Sequence, residues 1–246
     1  MIQPLYSNAP IIEAIIDFRV PNHEKPNVSL LDQLYNNIKY VFPKKEMMYE
    51  GLIHIEKNEN IDDYKVNTNE EMIGFRFTSE DGIRVFHASL NGFTYNRLKP
   101  YISWENFRDE AKMLWGIYRN ICDPLLVSRI GLRFVNRFEF PDQTINLREY
   151  LLTSPEVGSG LEQTLSQFFM QLHLPQTDLR CMLVINQSSE GLNNQNTANI
   201  ILDLDLFTEE QFKEDQEIWS YLELLRERKN LAFEASITDL TRRLIR

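Results

Sequence analysis

Cysteine is nearly missing from this sequence. Cys122 and Cys181 are the only two in 246 residues, and they share no paired spacing. That excludes a disulfide scaffold and a cysteine-rich zinc site, and it predicts free thiols in a reducing cytosol. Histidine is scarce too. His23, His54, His87 and His173 show neither H-x-x-x-H nor H-E-x-x-H spacing, so no metal pair is encoded on a helix and no cofactor is expected. Also missing are the G-x-S-x-G elbow, the phosphate loop and the dinucleotide fingerprint, which makes an enzyme the lesser reading. Positive charge is short: 26 Lys and Arg face 36 Asp and Glu, a formal net charge of −10. Binding along a phosphate backbone wants a basic stripe, so nucleic acid is disfavoured as the main partner. No apolar run approaches a membrane span. The start, M-I-Q-P-L-Y-S-N-A-P, has no basic segment followed by an apolar one. The expectation is a soluble cytoplasmic protein with no membrane partner.

What is present is ordinary globular usage, 43% hydrophobic and 25% charged. The length suits one compact domain built from two halves, approximately 1–123 and 124–246. The most informative stretch lies near the middle. Ser128 to Phe140 reads S-R-I-G-L-R-F-V-N-R-F-E-F and alternates with the period of a strand. Ile130, Leu132, Phe134, Phe138 and Phe140 share one face. Arg129, Arg133 and Arg137 share the other, with Gly131 leaving a gap. A row of guanidiniums must meet water, carboxylates or an anion.

Before that stretch, Pro10 to Val20 predicts a two-faced strand ended by Pro21, with Ala14, Ile16 and Phe18 inward and Glu13, Asp17 and Arg19 outward. Asn27 or Ser29 is read as the cap of a helix carrying Leu31, Leu34, Tyr35, Ile38 and Phe42. Strands are expected at 49–57, 72–79, 83–91 and 93–98, with Glu80-Asp81-Gly82 as a hairpin turn. The polar residues 57–69 read as a loop in which Tyr64 to Val66 could pair briefly. Ser103 then caps a long helix whose apolar stripe is Phe107, Ala111, Leu114, Trp115 and Tyr118.

After the central strand come a short helix at 147–152, a loose S-P-E-V-G-S-G segment, and a strand ending near His173. A turn at Pro175 to Asp178 follows, then strands at 179–186 and 198–207. Residues 188–196 read as a polar loop. The remainder from Glu214 is helical, with a break expected near Lys229-Asn230, where the apolar stripe shifts.

Each half therefore reads strand, helix, antiparallel strands, long helix. This predicts an α+β fold of two pseudo-repeated halves sharing a curved, mainly antiparallel sheet, with the first strands of the halves side by side. The order resembles the topology of the TATA-binding protein and of helix-grip folds, an analogy that carries no function with it.

Three motifs carry a closer resemblance: P-I-I-E-A-I-I-D-F-R near the start, Y-N-R-L-K-P-Y-x-x-W-x-x-F at Tyr95 to Phe107, and R-I-G-L-R-F-V-N-R at Arg129 to Arg137. In this order they resemble the signatures of an uncharacterised protein family distributed sporadically in bacteria and archaea. The resemblance spans essentially the whole length and implies no activity; it marks where to look.

Two constellations are candidates for binding. The first is the row Arg129, Arg133 and Arg137. Neighbouring members of the row, i and i+4 in a strand, stand about 13 Å apart, so one phosphate cannot bridge the ends of the row. Glu13, Asp17, Asp203 and Asp205 are candidate partners, and a ladder of cross-strand ion pairs competes with an anion site. The second is Tyr95, Arg97, Lys99, Tyr101 and Trp104, together with Asn96. They form either a hot-spot-like surface for a protein or ligand, or a strand-to-helix corner packed on the core. Asp203 and Asp205 alone are a weak divalent-ion pair. Two functions are carried forward. One is a non-catalytic binding or regulatory module for a protein or ligand. The other is an enzyme or nucleotide-binding protein that takes a small anionic ligand through the arginine row. The oligomeric state is open, and a homodimer is allowed.

Overall fold

A computed structural model of the chain describes residues 6–21, 28–57, 64–140, 146–162, 165, 167–190 and 198–246, with the backbone alone at 52–57 and 64–69. The elements run β1 (Ile11–Arg19), α1 (Val28–Ile38), β2 (Lys44–Lys57), β3 (Tyr64–Thr78), β4 (Arg84–Ser89), β5 (Gly92–Leu98) and α2 (Trp104–Cys122). They continue β6 (Arg129–Phe140), α3 (Leu147–Tyr150), β7 (Phe169–Gln176), β8 (Cys181–Glu190), β9 (Ala198–Thr208), α4 (Asp215–Ser236) and α5 (Asp239–Leu244).

The described strands form one nine-stranded sheet in the order β2-β3-β4-β5-β1-β6-β9-β8-β7. Every pairing is antiparallel. β1 and β6 lie together at the centre, as the two-faced pattern of both stretches predicts, with Phe18 opposite Ile130 and Ala14 opposite Phe134. From that seam each half pairs its first strand with its last and then steps outward. The architecture is α+β with a large curved antiparallel sheet.

Alternation puts one side chain of every two on the helix side. Ala14, Ile16, Phe18, Phe93, Phe134, Leu204 and Leu206 are all buried there. α1 packs on β3 and β4, α2 on β5, and α4 on β6 and β9. The rings of Trp115 and Trp219 stand edge-on to Phe18 at 5.0 and 5.7 Å, and Phe93 stacks on it at 5.5 Å. Such geometry adds to the large apolar area that each ring buries. α2 begins where Ser103 accepts a hydrogen bond from the Asn106 amide, the expected cap.

Several sequence expectations change. β2 starts at Lys44, and its ladder with β3 extends to Lys57 opposite Tyr64, so the brief pairing allowed at Tyr64 to Val66 is part of a continuous strand through 69. Ser29 lies inside α1, which starts at Val28; Asn27 is outside the described residues. The β7–β8 turn sits later than Pro175, with Pro175 itself in the strand and Arg180 at φ 51°. β8 takes in Ser188 to Glu190, and 191–197 are outside the described residues. α4 passes unbroken through Lys229-Asn230 and ends at Ser236; Ile237 is extended, and Thr238 caps α5.

Candidate functional site

The helices cover one face of the sheet. The opposite face carries a polar band running from β3 to β8, built from the alternate residues of each strand. Its centre is the arginine row of β6. Arg129 Nη1 donates to Asp17 Oδ1 at 2.7 Å, and Thr94 Oγ1 donates to Asp17 Oδ2 at 2.8 Å. The Arg129 guanidinium also lies over the Phe207 ring, 4.5 Å from its centroid. The gap at Gly131 has a structural reason. A Cβ there would stand 3.0 Å from Arg129 Nη1 and 3.5 Å from Asp17 Cβ, so the glycine leaves room for this pair to lie across the strand.

Arg133 reaches diagonally. Asp205 is its opposite number in the register, yet its Nε and Nη2 donate to the two oxygens of Asp203 at 2.8 and 2.7 Å. This forked geometry is the strong form of an arginine–carboxylate pair. Asn186 Nδ2 adds a third donor to Asp203 at 3.0 Å, and Asp203 is only 3% exposed. Arg137 Nε lies 2.9 Å from Glu190 Oε2, a contact at ion-pair distance without hydrogen-bond alignment. Glu13, a candidate for the row, instead accepts from Asn96 at 2.7 Å.

Asp205 stays outside these pairs. Burial raises its carboxyl above the usual range, and the nearby Arg129 and Arg133 pull it back down. His87, opposite Arg76 on β3 and Thr94 on β5, is held below its ordinary value by burial and then by Arg76, which keeps the imidazole neutral. Apolar side chains fill the spaces of this band. Ile15 lies opposite Arg133, Val135 opposite Glu13, and Ile201 opposite Arg137, each half-buried.

The second constellation divides between the two faces and the corner. Tyr95 and Arg97 point to the helix side and are buried. The Tyr95 hydroxyl donates to Glu110, which also accepts from Arg84 Nη1 at 3.0 Å; Arg97 Nη1 stands 4.0 Å from the same carboxylate. Burial, followed by Glu110, raises the Tyr95 hydroxyl far above the ordinary tyrosine value. Asn96 faces the polar band. Lys99 is exposed beside a cis peptide bond to Pro100. Trp104 is 5% exposed, and its Nε1 donates to Glu223 at 2.8 Å. Tyr101 packs edge-on against Phe134 at 5.5 Å. The structure therefore does not bring Tyr95, Arg97, Tyr101 and Trp104 together with the arginine row; the sheet separates them.

Lys229 is a residue the sequence pattern misread. It follows Leu225 by four and precedes Phe233 by four, so it occupies the apolar stripe of α4 itself. Its amine lies 4.1 Å from the centroid of the Phe134 ring. Burial, and then the Arg226 charge, lower its pKa to about 7. Glu110, Glu190 and Glu223 were also missed, because each finds its arginine or aromatic partner only through tertiary contact. Among the described residues no group of three or more His, Cys, Asp or Glu is arranged to hold a metal ion. None of the described helices is long and apolar enough to cross a membrane. Compared with known families and curated proteins, the chain matches no family model and no curated sequence.

Proposed function

We propose that the protein is a non-catalytic binding module whose contact surface is the polar face of the sheet, and that its ligand is another protein. The observation that carries this is the fixed pairing of the arginine row. Arg129, Arg133 and Arg137 each lie at a carboxylate, and Asp203 in the Arg133 fork is also held by Asn186. Side chains already held in place lose little freedom when a partner arrives. Between them Ile15, Val135 and Ile201 offer half-exposed apolar area, and arginine amid apolar groups is the usual make-up of an interface centre.

The same pairing weighs against the second reading, an anionic substrate held by the row, because an incoming anion would have to displace Asp17 and Asp203. The three sequence motifs fall on β1, on β5 with the start of α2, and on β6. These are neighbouring central strands, and the family resemblance is read here as a shared central scaffold. The two halves are likewise read as a duplication, supported by the matching outward order of strands from the β1–β6 seam.

The test is photo-cross-linking in cells with a benzophenone side chain placed at Val135 or Ile201, and at the exposed Met113 and Leu224 of the helix side as controls. Protein adducts from Val135 and Ile201 but not from the controls are expected. Adducts from the controls alone would reject the proposed surface. A small anion retained by the purified wild type and lost from Arg133→Met in native mass spectrometry would replace it with the anion-binding reading.

A further inference from the structure

The two edges of the sheet differ. β2 carries Lys44, Lys45, Glu46 and Glu50, the charged side chains that keep an exposed edge from pairing with another strand. β7, with the sequence F-M-Q-L-H-L-P-Q, carries no acidic residue, lysine or arginine. Among the described residues, no strand pairs with its outer side. Phe169 is 70% exposed and Leu174 39% exposed.

The direction of the backbone groups follows from one bond. The Ser189 amide donates to the Phe168 carbonyl. Antiparallel pairs alternate, so even-numbered residues of β7 turn their backbone groups to β8 and odd-numbered ones turn them outward. The amides of Phe169, Gln171 and His173 therefore face away from the sheet. Pro175 has no amide to offer, which sets the end of this donor row.

We propose that β7 pairs edge to edge with β7 of a second copy, antiparallel about a two-fold axis through Gln171. In that register Gln171 meets its own counterpart, and Phe169 meets His173 of the second copy on the polar face. On the helix side Met170 meets Leu172 and Leu174 meets Phe168, so every cross-strand pair there is apolar. Self-pairing of this kind requires a strand that is complementary to itself, and an uncharged strand with apolar residues at both flanks of a central Gln meets that condition. A charged peptide would find no opposite charge on β7. The two sheets become one continuous sheet, with both polar faces on the same side.

The interface is small, so its dissociation constant belongs in the range of about 1 µM and above. Sedimentation velocity and light scattering from about 1 µM to about 100 µM will show a concentration-dependent shift from the 29.1 kDa chain mass toward twice that value. Gln171→Lys places two like charges against each other at the axis and will hold the protein monomeric at all these concentrations. Gln171→Pro removes one outward amide without touching the β7–β8 ladder and will do the same. Both are to be checked for wild-type circular dichroism; if the proline variant misfolds, the lysine variant decides. Hydrogen exchange at the Gln171 and His173 amides will slow as concentration rises. A wild type that stays monomeric, or a dimer that survives Gln171→Lys, overturns the proposal. Arg129→Met, whose partners are Asp17 on β1 and the Phe207 ring on β9, will leave the dimer unchanged whether or not the polar face binds a protein.

Discussion

Asp203 shows most sharply what the arginine row does. It is nearly enclosed, and three of its hydrogen-bond donors come from Arg133 and Asn186. Arg133→Met leaves a buried carboxylate with Asn186 as its remaining donor, at a cost of about 2 kcal/mol in urea unfolding. Adding Asp203→Asn removes the stranded charge and will recover part of that loss, so the double-mutant cycle will show coupling between the two sites. Unchanged stability in the single variant would mean that the fork is ornamental. Lys229 gives a prediction of the opposite sign. Its folded pKa of about 7 lies below the unfolded value of about 10.4. Between those values the unfolded chain holds the extra proton, so stability rises with pH across that window and the full penalty stands below about 7. Cys122 acts against it: burial lifts the thiol to about 12 in the folded state, so its contribution is lost as pH climbs past the unfolded thiol value. The clean measurement is the difference between wild type and Lys229→Met from pH 6 to 8. Lys229→Met will be the more stable at pH 6, and its advantage will shrink by up to about 1.4 kcal/mol per pH unit above 7. A constant difference would show that the amine is charged and satisfied. Arg226, the charge that acts on this amine, is itself paired with Glu223 at 3.6 Å and Glu105 at 3.9 Å.

At the level of elements, the close approach of β3 to β4 rests on Gly74. A Cβ at this position would stand 2.2 Å from the Ala88 carbonyl oxygen and 2.7 Å from the Ser89 Cα, both backbone. The strand pairing shifts register beside it, between Met48 and Tyr49. Gly74→Ala will therefore push the strands apart and lower stability by roughly 1–3 kcal/mol, seen as a fall in Tm; a wild-type Tm would mean the bulge absorbs the methyl. Strands with two unlike faces were legible in the sequence, because Ile16, Phe18, Leu132 and Phe134 alternate with charge. α2 was legible for its cap and stripe. The hairpin of β2 and β3 was legible only in part: strands at 49–57 and 72–79 follow from the pattern, but residues such as Asn67 and Asn69 carry no strand preference and hide the length of the ladder. α4 was misjudged for one residue: an amine in the stripe reads as an interruption until Phe134 is seen beneath it. Of the candidate site, the arginine row and its Asp17 and Asp203 partners could be read from alternation. Glu190 could not, because its meeting with Arg137 depends on the order of β8 and β9. The division of Tyr95 and Arg97 from the row needed the sheet's sidedness at β5, which a cluster of polar and aromatic letters does not disclose.

The whole molecule is tied across the halves as firmly as within them. Trp104 of one half donates to Glu223 of the other, Trp115 to Asp215, and Trp219 leans on Phe18. The chain will unfold as one unit: tryptophan fluorescence and far-ultraviolet circular dichroism will give superimposable urea transitions. Separate midpoints would divide the chain into independent domains near residue 124.

The central seat of β1 has a cost in time. Its neighbours β5 and β6 follow it by long stretches of chain. At a synthesis rate of about 5–20 residues per second, the ribosome extrudes the sticky I-I-E-A-I-I segment several seconds before β5 exists to pair with it, and longer still before β6 closes the other side. A nascent chain of this design carries an orphaned strand through much of its birth. Shelter for that strand during translation is therefore a separate demand of this topology, beside the stability of the finished sheet.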